Sequence, residues 1–203
     1  MSEKAGVIVA DPPWQYANAG CRGAAENEYP TMTIQDICNL PVASMAADNC
    51  ALFLWTTWPQ LLEAQAVLKA WGFDYITGLP WLKIVGQPSV DLWGLLWIKA
   101  QYGVGFWVRG CTEPLLIARR GDVKAPTGGY VGLLSENLRH SRKPENIYHI
   151  AEMLPGPYLE LFARRPRKGW NSWGNEFTNT AHLAEFAEAL PSHVRTDRGG
   201  LEK

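Results

Sequence analysis

Asp11-Pro12-Pro13-Trp14 sets a carboxylate, two prolines and an indole directly behind four apolar residues, Val7-Ile8-Val9-Ala10. Those four show no polar alternation, the pattern of a strand buried on both faces. Each proline lacks an N–H and fixes φ, so the ladder must stop there. The outcome is a stiff hook at the carboxyl end of a strand, where open α/β sheets bind their ligands. The hook carries a carboxylate, carbonyls with few local donors and a flat π surface. Such a set suits a planar amine. The Asp11 carboxylate and the Pro12 carbonyl can each accept one N–H of an exocyclic amino group, while the Trp14 indole stacks on the ring. On spacing alone, a Pro-Pro turn over a buried indole fits equally well.

A second loaded strand end follows residues 158–163. Arg164, Arg165, Arg167 and Lys168 come next, with Asn175 and Glu176 beyond them. One or two of these cations are expected at a cofactor or phosphate, and the others in solvent. His140-Ser141-Arg142-Lys143-Pro144 leads into a helix, and a helix N-terminus favours a carboxylate; Lys143 is the cation placed to meet it. Asn175 and Glu176 suit ribose hydroxyls. The chain has neither G-x-x-x-x-G-K-[ST] nor G-x-G-x-x-G, so phosphate-bearing cofactors are poorly supported. A nucleoside with a carboxylate and no phosphate fits better, and S-adenosylmethionine is such a molecule.

These groups need a scaffold. After the hook, residues 15–28 lack apolar periodicity and read as a mobile lid. Thr33 caps a short helix through Cys38, with Asp36 at the capping-box position. Residues 51–55 form a second buried strand. Pro59 opens a helix with Leu61, Ala64, Leu68 and Trp71 on one face, closed by Gly72. Residues 73–84 read as one or two strands, so 7–84 alternates strand and helix as an α/β domain with a parallel sheet does. Residues 85–108 read as a long loop studded with Trp93, Trp97 and Trp107. Residues 113–118 form a further strand, and 122–138 a loop with a hairpin. Pro144 opens a helix with Ile147, Ile150, Ala151 and Leu154 inward. Leu183, Phe186, Ala187 and Leu190 mark a last amphipathic helix before a polar tail.

Composition narrows the class. With 203 residues, 47% hydrophobic and 19% charged, the chain suits one globular domain. No apolar run is long enough to span a bilayer. The four cysteines make no C-x-x-C and the four histidines no H-x-x-x-H, so zinc is not implied, and inert, reduced cytosolic thiols are expected. The net charge of −1 hides a basic stretch, residues 109–168, with 11 Lys and Arg against 6 Asp and Glu. It reads as a solvated face in preference to a phosphate patch. Of ten tryptophans, Trp55, Trp71 and Trp81 are expected in the core.

The ordered set of motifs resembles the MT-A70-like family of adenine-N6 methyltransferases. It comprises Asp11-Pro12-Pro13-Trp14, Tyr29-Pro30-Thr31-Met32, Leu52-Phe53-Leu54-Trp55, Trp81-Leu82-Lys83, Gly105-Phe106-Trp107-Val108-Arg109, His140-Ser141-Arg142-Lys143-Pro144, Leu159-Glu160-Leu161-Phe162-Ala163-Arg164-Arg165 and the run from Gly169 to Glu176. The likeness is greatest to short bacterial and phage members. It implies a Rossmann-like methyltransferase sheet with helices on both faces, in permuted order: catalytic strand first, cofactor strand near the C-terminus. It implies S-adenosylmethionine as methyl donor and adenine in a nucleic acid as acceptor. By match to the motifs, Asp11, Pro12, Pro13 and Trp14 are catalytic. His140, Ser141, Lys143, Phe162, Arg164, Asn175 and Glu176 border the cofactor, and Tyr16, Tyr29, Lys83 and Arg109 are the substrate contacts. Two departures stand out: residues 85–104 do not match the family's short polar stretch, and only six residues precede Val7. One catalytic domain is expected over 1–177, with 178–203 its C-terminal helix and tail, acting in the cytoplasm of a bacterial or phage-infected cell. DNA is the expected substrate, read with short or relaxed specificity because the stretch after Glu176 is too short for a separate reading domain. Neither a metal nor a membrane is implied, and a homodimer is left open. The rival readings are the same reaction on RNA and a non-catalytic subunit that binds nucleic acid.

Overall fold

Val7, Ile8, Val9 and Ala10 are almost wholly shielded from solvent because their strand runs through the middle of a sheet covered on both faces. The structure is a computed structural model describing residues 3–16, 30–86, 88–93, 96–97, 99–102, 107–126, 133–136, 143–174 and 183–194. In chain order the strands are β1 (Ala5–Ala10), β2 (Ala46–Trp55), β3 (Asp74–Ile84), β4 (Ser89–Val90), β5 (Leu96–Trp97), β6 (Thr112–Arg120), β7 (Leu133–Glu136), β8 (Tyr158–Leu161) and β9 (Trp170–Trp173). Seven of them form one sheet in the order β7-β3-β6-β2-β1-β8-β9, and β4 pairs with β5 apart from it. β6 runs antiparallel to both its neighbours, while every other pair in the large sheet is parallel.

The helices are α1 (Ile34–Cys38), α2 (Val42–Met45), α3 (Leu61–Ala70), α4 (Asn146–Ala151) and α5 (Ala184–Ala189). Strand side chains alternate between faces, so each strand feeds two cores. Ile8, Ala10, Leu52, Leu54, Leu116 and Leu161 pack with Ile37 of α1, Val67 and Leu68 of α3 and Phe186 of α5. Val7, Val9, Phe53, Trp55, Trp81 and Leu115 pack with Ile147 and Ile150 of α4. This is the α/β sheet with helices on both faces that the sequence predicts, and Trp55, Trp71 and Trp81 are buried as expected. The Thr33–Asp36 capping box is also present.

β1 pairs with β2 on one side and β8 on the other, Ala10 lying opposite both Leu54 and Leu161. The chain leaves β1 towards β2 and returns on the opposite side as β8. Such a reversal opens a crevice at the carboxyl ends of the strands. Asp11 stands at that crevice.

Four local details differ from the sequence reading. Residues 85–108 are a strand-like arm in their first half. The Val85 N–H donates to the Lys99 carbonyl at 2.8 Å, the Gln101 N–H donates to the Lys83 carbonyl at 2.9 Å, and β4 pairs with β5. Val85, Val90, Leu96 and Trp97 are β-formers, and Gly86 turns the chain with φ +72°. Among the described residues β7 pairs not in a hairpin but parallel with β3, at the edge of the sheet. β8 stops at Leu161, two residues early, because Phe162 adopts the left-handed region at φ 63°. β9 was not anticipated: its apolar content is two tryptophans, too little for a strand pattern.

Candidate active site

The carboxyl ends of β1, β2, β3 and β8 meet the amino end of β6, which runs the other way. Asp11 follows β1, and its N–H points at the Leu161 carbonyl at 3.4 Å. Lys143 lies 3.1 Å from the Asp11 carboxylate and 2.9 Å from Glu113 at the start of β6. Glu113 also pairs with Lys83 at the end of β3. The charges therefore alternate along a line: Asp11, Lys143, Glu113, Lys83. Beneath them is an indole floor. Lys143 lies 5.2 Å from the centre of the Trp55 ring, Lys83 lies 4.9 Å from that of Trp81, and the two rings meet edge-on at 5.8 Å. Such cation–π contacts favour ammonium ions over an apolar floor.

Burial pushes the Asp11 carboxyl above its ordinary range, and the Lys143 ammonium opposes that push only in part. Burial acts the same way on Glu113, but Lys143 and Lys83 outweigh it and hold the group below its ordinary range. Desolvation would discharge Lys143, yet Asp11 and Glu113 together raise its pKa and keep it charged. The result is one carboxylate held firmly ionised and another, Asp11, kept basic with about a quarter of its side chain open (27% exposed).

The hook itself is tightly held. The Pro12 carbonyl accepts from the Trp14 N–H at 2.9 Å, and the Pro13 carbonyl from the Met32 N–H at 2.8 Å. Both carbonyls thus have a local donor, contrary to the sequence reading, although each keeps a second lone pair. The Gln60 side chain donates to the Gln15 carbonyl at 2.7 Å. Trp14 is corrected more sharply. Its ring is 4% exposed in the core, with Nε1 donating to the Trp55 carbonyl at 3.0 Å. A ring so enclosed offers no face to a base, so Trp14 braces the hook against β2 and does not stack.

Of the remaining candidates, Tyr16 lies half-buried near the charge line, and burial raises its phenol pKa. Lys83 belongs to the line. Arg109 lies exposed on the arm, apart from it. Phe162 packs edge-on against Trp173 and Phe186 at 5.7 and 5.6 Å. Arg164 is exposed beyond it, its charge favouring the Asp11 anion. Arg165 and Arg167 are both engaged by Glu145. His140, Ser141, Tyr29, Asn175, Glu176 and the proposed lid, except Gln15 and Tyr16 at its start, lie outside the described residues. Burial raises the Cys50 thiol to about 12, in keeping with an inert cysteine. Among the described residues no group of three His, Cys, Asp or Glu is placed to hold a metal ion.

Two members of the site escaped the sequence reading. The sequence marks Glu113 only as the first residue of a strand. The available signal was an acid leading directly into Pro114-Leu115-Leu116-Ile117, where solvent is scarce. Trp58, after β2, is 51% exposed, and its Nε1 donates to the Thr112 hydroxyl at 2.9 Å beside Glu113. No sequence pattern distinguishes it from the buried tryptophans.

Known proteins resemble the chain over most of its length. The chain is 32% identical over 194 residues to the Type II methyltransferase M.MunI of Mycoplasma sp, covering 84% of this chain and 76% of that protein. It is 30% identical over 191 residues to the N(6)-adenine-specific methyltransferase METTL4 of Homo sapiens, covering 89% of this chain but 39% of that one. It is 32% identical over 185 residues to the N6-methyladenosine RNA methyltransferase MTA1 of Cryphonectria parasitica, covering 84% and 51%. The chain therefore spans about half or less of the length of the last two. The MT-A70 family model matches residues 5–176, from β1 through β9 and across the whole charge line, and the chain belongs to the MT-A70 family.

Proposed function

We propose that this protein transfers a methyl group from S-adenosylmethionine to the exocyclic N6 of adenine, with DNA as its preferred nucleic acid and little demand on sequence context. The observation that carries the reading is Asp11. It is a basic, partly open carboxylate at the end of a central strand, next to a proline carbonyl with a lone pair to spare.

The site's charges suit the cofactor. S-Adenosylmethionine presents a sulfonium, an ammonium and a carboxylate. Asp11 and Glu113 complement the first two; Lys143 and Arg164 complement the third. Asn146 Oδ1 and Trp173 Nε1, at the start of α4 and the end of β9, are buried without partners among the described residues. A polar ligand that reached them would satisfy both atoms. When bound, the cofactor supplies an electrophilic methyl group.

The chain's own residues do the rest. An adenine amino group is a weak nucleophile because its lone pair is delocalised into the ring. Asp11 accepts one of its N–H bonds and the Pro12 carbonyl the other, which favours a pyramidal nitrogen. Positive charge grows on that nitrogen during attack, and a fixed anion beside a fixed carbonyl dipole stabilises it. The braced hook keeps both acceptors in register, so little reorganisation is needed. In a duplex the base must first leave the stack.

The preference for DNA rests on one support: the sequence has no RNP, KH or zinc-knuckle signature. The 32% identity to the RNA methyltransferase MTA1 keeps RNA as the competing substrate. The test is methyl transfer to single- and double-stranded DNA and RNA, with the product base identified by mass spectrometry. N6-methyladenine in DNA is expected, and Asp11→Ala should lower turnover by about 10²–10³-fold or more while the protein stays folded. Methylation of RNA alone overturns the DNA preference. Near-normal turnover by Asp11→Ala removes that residue from the chemistry.

A further inference from the structure

Exposed aromatic side chains lie on segments that leave the sheet at the same ends of the strands as Asp11. Trp58 is one, its plane fixed by the bond to Thr112. Next along the edge is the arm, closed at its root by the Lys83 N–H donating to the Cys111 carbonyl at 2.8 Å. The arm holds Trp93 (86% exposed), Tyr102 (62%) and Trp107 (98%). Exposed aromatic side chains gathered on neighbouring segments are a common mark of an interaction surface.

Three observations indicate what covers these aromatics. The first is continuity. In the strand order β3-β6-β2-β1, the arm leaves β3, Thr112 begins β6, Trp58 follows β2 and Asp11 follows β1. Strands lie ~4.8 Å apart, so the arm's root is roughly 14 Å from Asp11. That is the length of about four stacked nucleotides at ~3.4 Å each. A nucleic acid whose adenine sits at Asp11 must lay its neighbouring nucleotides on such ground. The second is charge: Lys99 and Arg109 are exposed among these aromatics. The one acid described on the arm, Asp91, accepts from the Trp93 N–H at 2.9 Å, so it fixes the turn that presents Trp93. The third is geometry. Trp58 is held with half its surface open, a preorganised platform that suits a flat partner better than an aliphatic one.

We propose that Trp58 and the arm's Trp93, Tyr102 and Trp107 form a stacking track for unpaired bases flanking the target adenine. This rests on the nucleic-acid methylation reading above and adds the surface that reading lacks. Stacking tolerates any base, because every base has a π face. Lys99 and Arg109 supply phosphate contacts that carry no sequence information.

The test is fluorescence anisotropy with labelled 12-nucleotide single strands and the matching duplex, using full-length protein, together with methyl-transfer kinetics and light scattering. Trp58→Ala and the pair Trp93→Ala with Trp107→Ala should each weaken single-strand binding by about 5- to 150-fold for every stacked base lost. The loss should appear in KM for the oligonucleotide, with cofactor affinity by calorimetry unchanged. Unchanged single-strand affinity in both variants overturns the track. So does a wild-type dimer that the arm variants convert to monomer with unchanged affinity, since a second copy is then the occupant. If the variants lose single-strand binding but wild-type protein modifies no adenine, the track stands and the methylation reading fails.

Discussion

Asp11 holds two opposed tendencies in one side chain: burial makes it reluctant to ionise, and Lys143 keeps the ionised form available. In the proposed mechanism its raised pKa places the acid limb of methyl transfer above the pH at which an ordinary aspartate titrates, ~3.9, because the protonated acid no longer supplies the negative charge that stabilises the developing ammonium. Glu113 contributes to that elevation by repulsion. Glu113→Gln should therefore move the acid limb of kcat/KM to lower pH, a shift that a purely structural loss of activity would not produce. A pH–rate profile of the two proteins checks it. The same residue bears on stability. Its folded pKa lies below the ordinary 4.5. It thus adds stability above that value, and the contribution is lost as pH falls through the lower, folded value. Chemical denaturation at pH 7 and in the acid range should show the variant's deficit shrinking on acidification. Asp11 was legible in the sequence because two prolines after an apolar strand leave the chain little freedom. The stacking surface was not. Burial of Trp14 and exposure of Trp58 depend on which side of β2 each ring meets, and no local spacing encodes that.

At the scale of elements, the apolar runs gave strand positions well but not strand directions. A run such as Leu115-Leu116-Ile117-Ala118 is compatible with either direction. Only the antiparallel course of β6 brings Glu113 to the edge where the other strands end. The same course carries Arg119 and Arg120 to the far edge, where Arg120 donates to the Ala43 carbonyl at 2.7 Å. β1 shows how little slack the elements have. Gly6 donates to the Pro157 carbonyl at 2.8 Å, and a Cβ added there would lie 2.6 Å from the Pro155 carbonyl oxygen. Gly6→Ala should cost about 1–3 kcal/mol by forcing β1 away from the turn before β8. Urea denaturation measures that loss, and cofactor affinity should fall with it because the crevice opens between those two strands.

Across the whole molecule, residues 183–194 pack into the same core as β1 and β9. Leu183, Phe186, Leu190 and Val194 share one apolar cluster with Ile8 and Trp173, and His193 lies 3.0 Å from the Thr31 carbonyl near the hook. Phe186 is 1% exposed against Phe162 and Trp173, so Phe186→Ala should cost ~3–5 kcal/mol, read as a lowered denaturation midpoint. Among the described residues, much of the basic excess of 109–168 is already engaged or lies away from the site. Lys143 is held by two carboxylates, Arg165 and Arg167 by Glu145, and Arg119 and Arg120 lie at the opposite edge. Lys99 and Arg109 are the exposed cations described on the arm. Two phosphate contacts give a slope of log affinity against log salt of about −1.4 on single strands. A salt titration yielding a much steeper slope would reveal a larger electrostatic footprint than this surface provides.

The position of β1 in mid-sheet has a consequence during synthesis. Its partner β2 emerges from the ribosome soon after it, but β8, which completes its other side, begins at Tyr158. At ~5–20 residues per second, about 7–30 seconds pass between β1 and β8. For that interval Val7, Ile8 and Val9 border an open strand edge on the nascent chain, the kind of template on which chains aggregate.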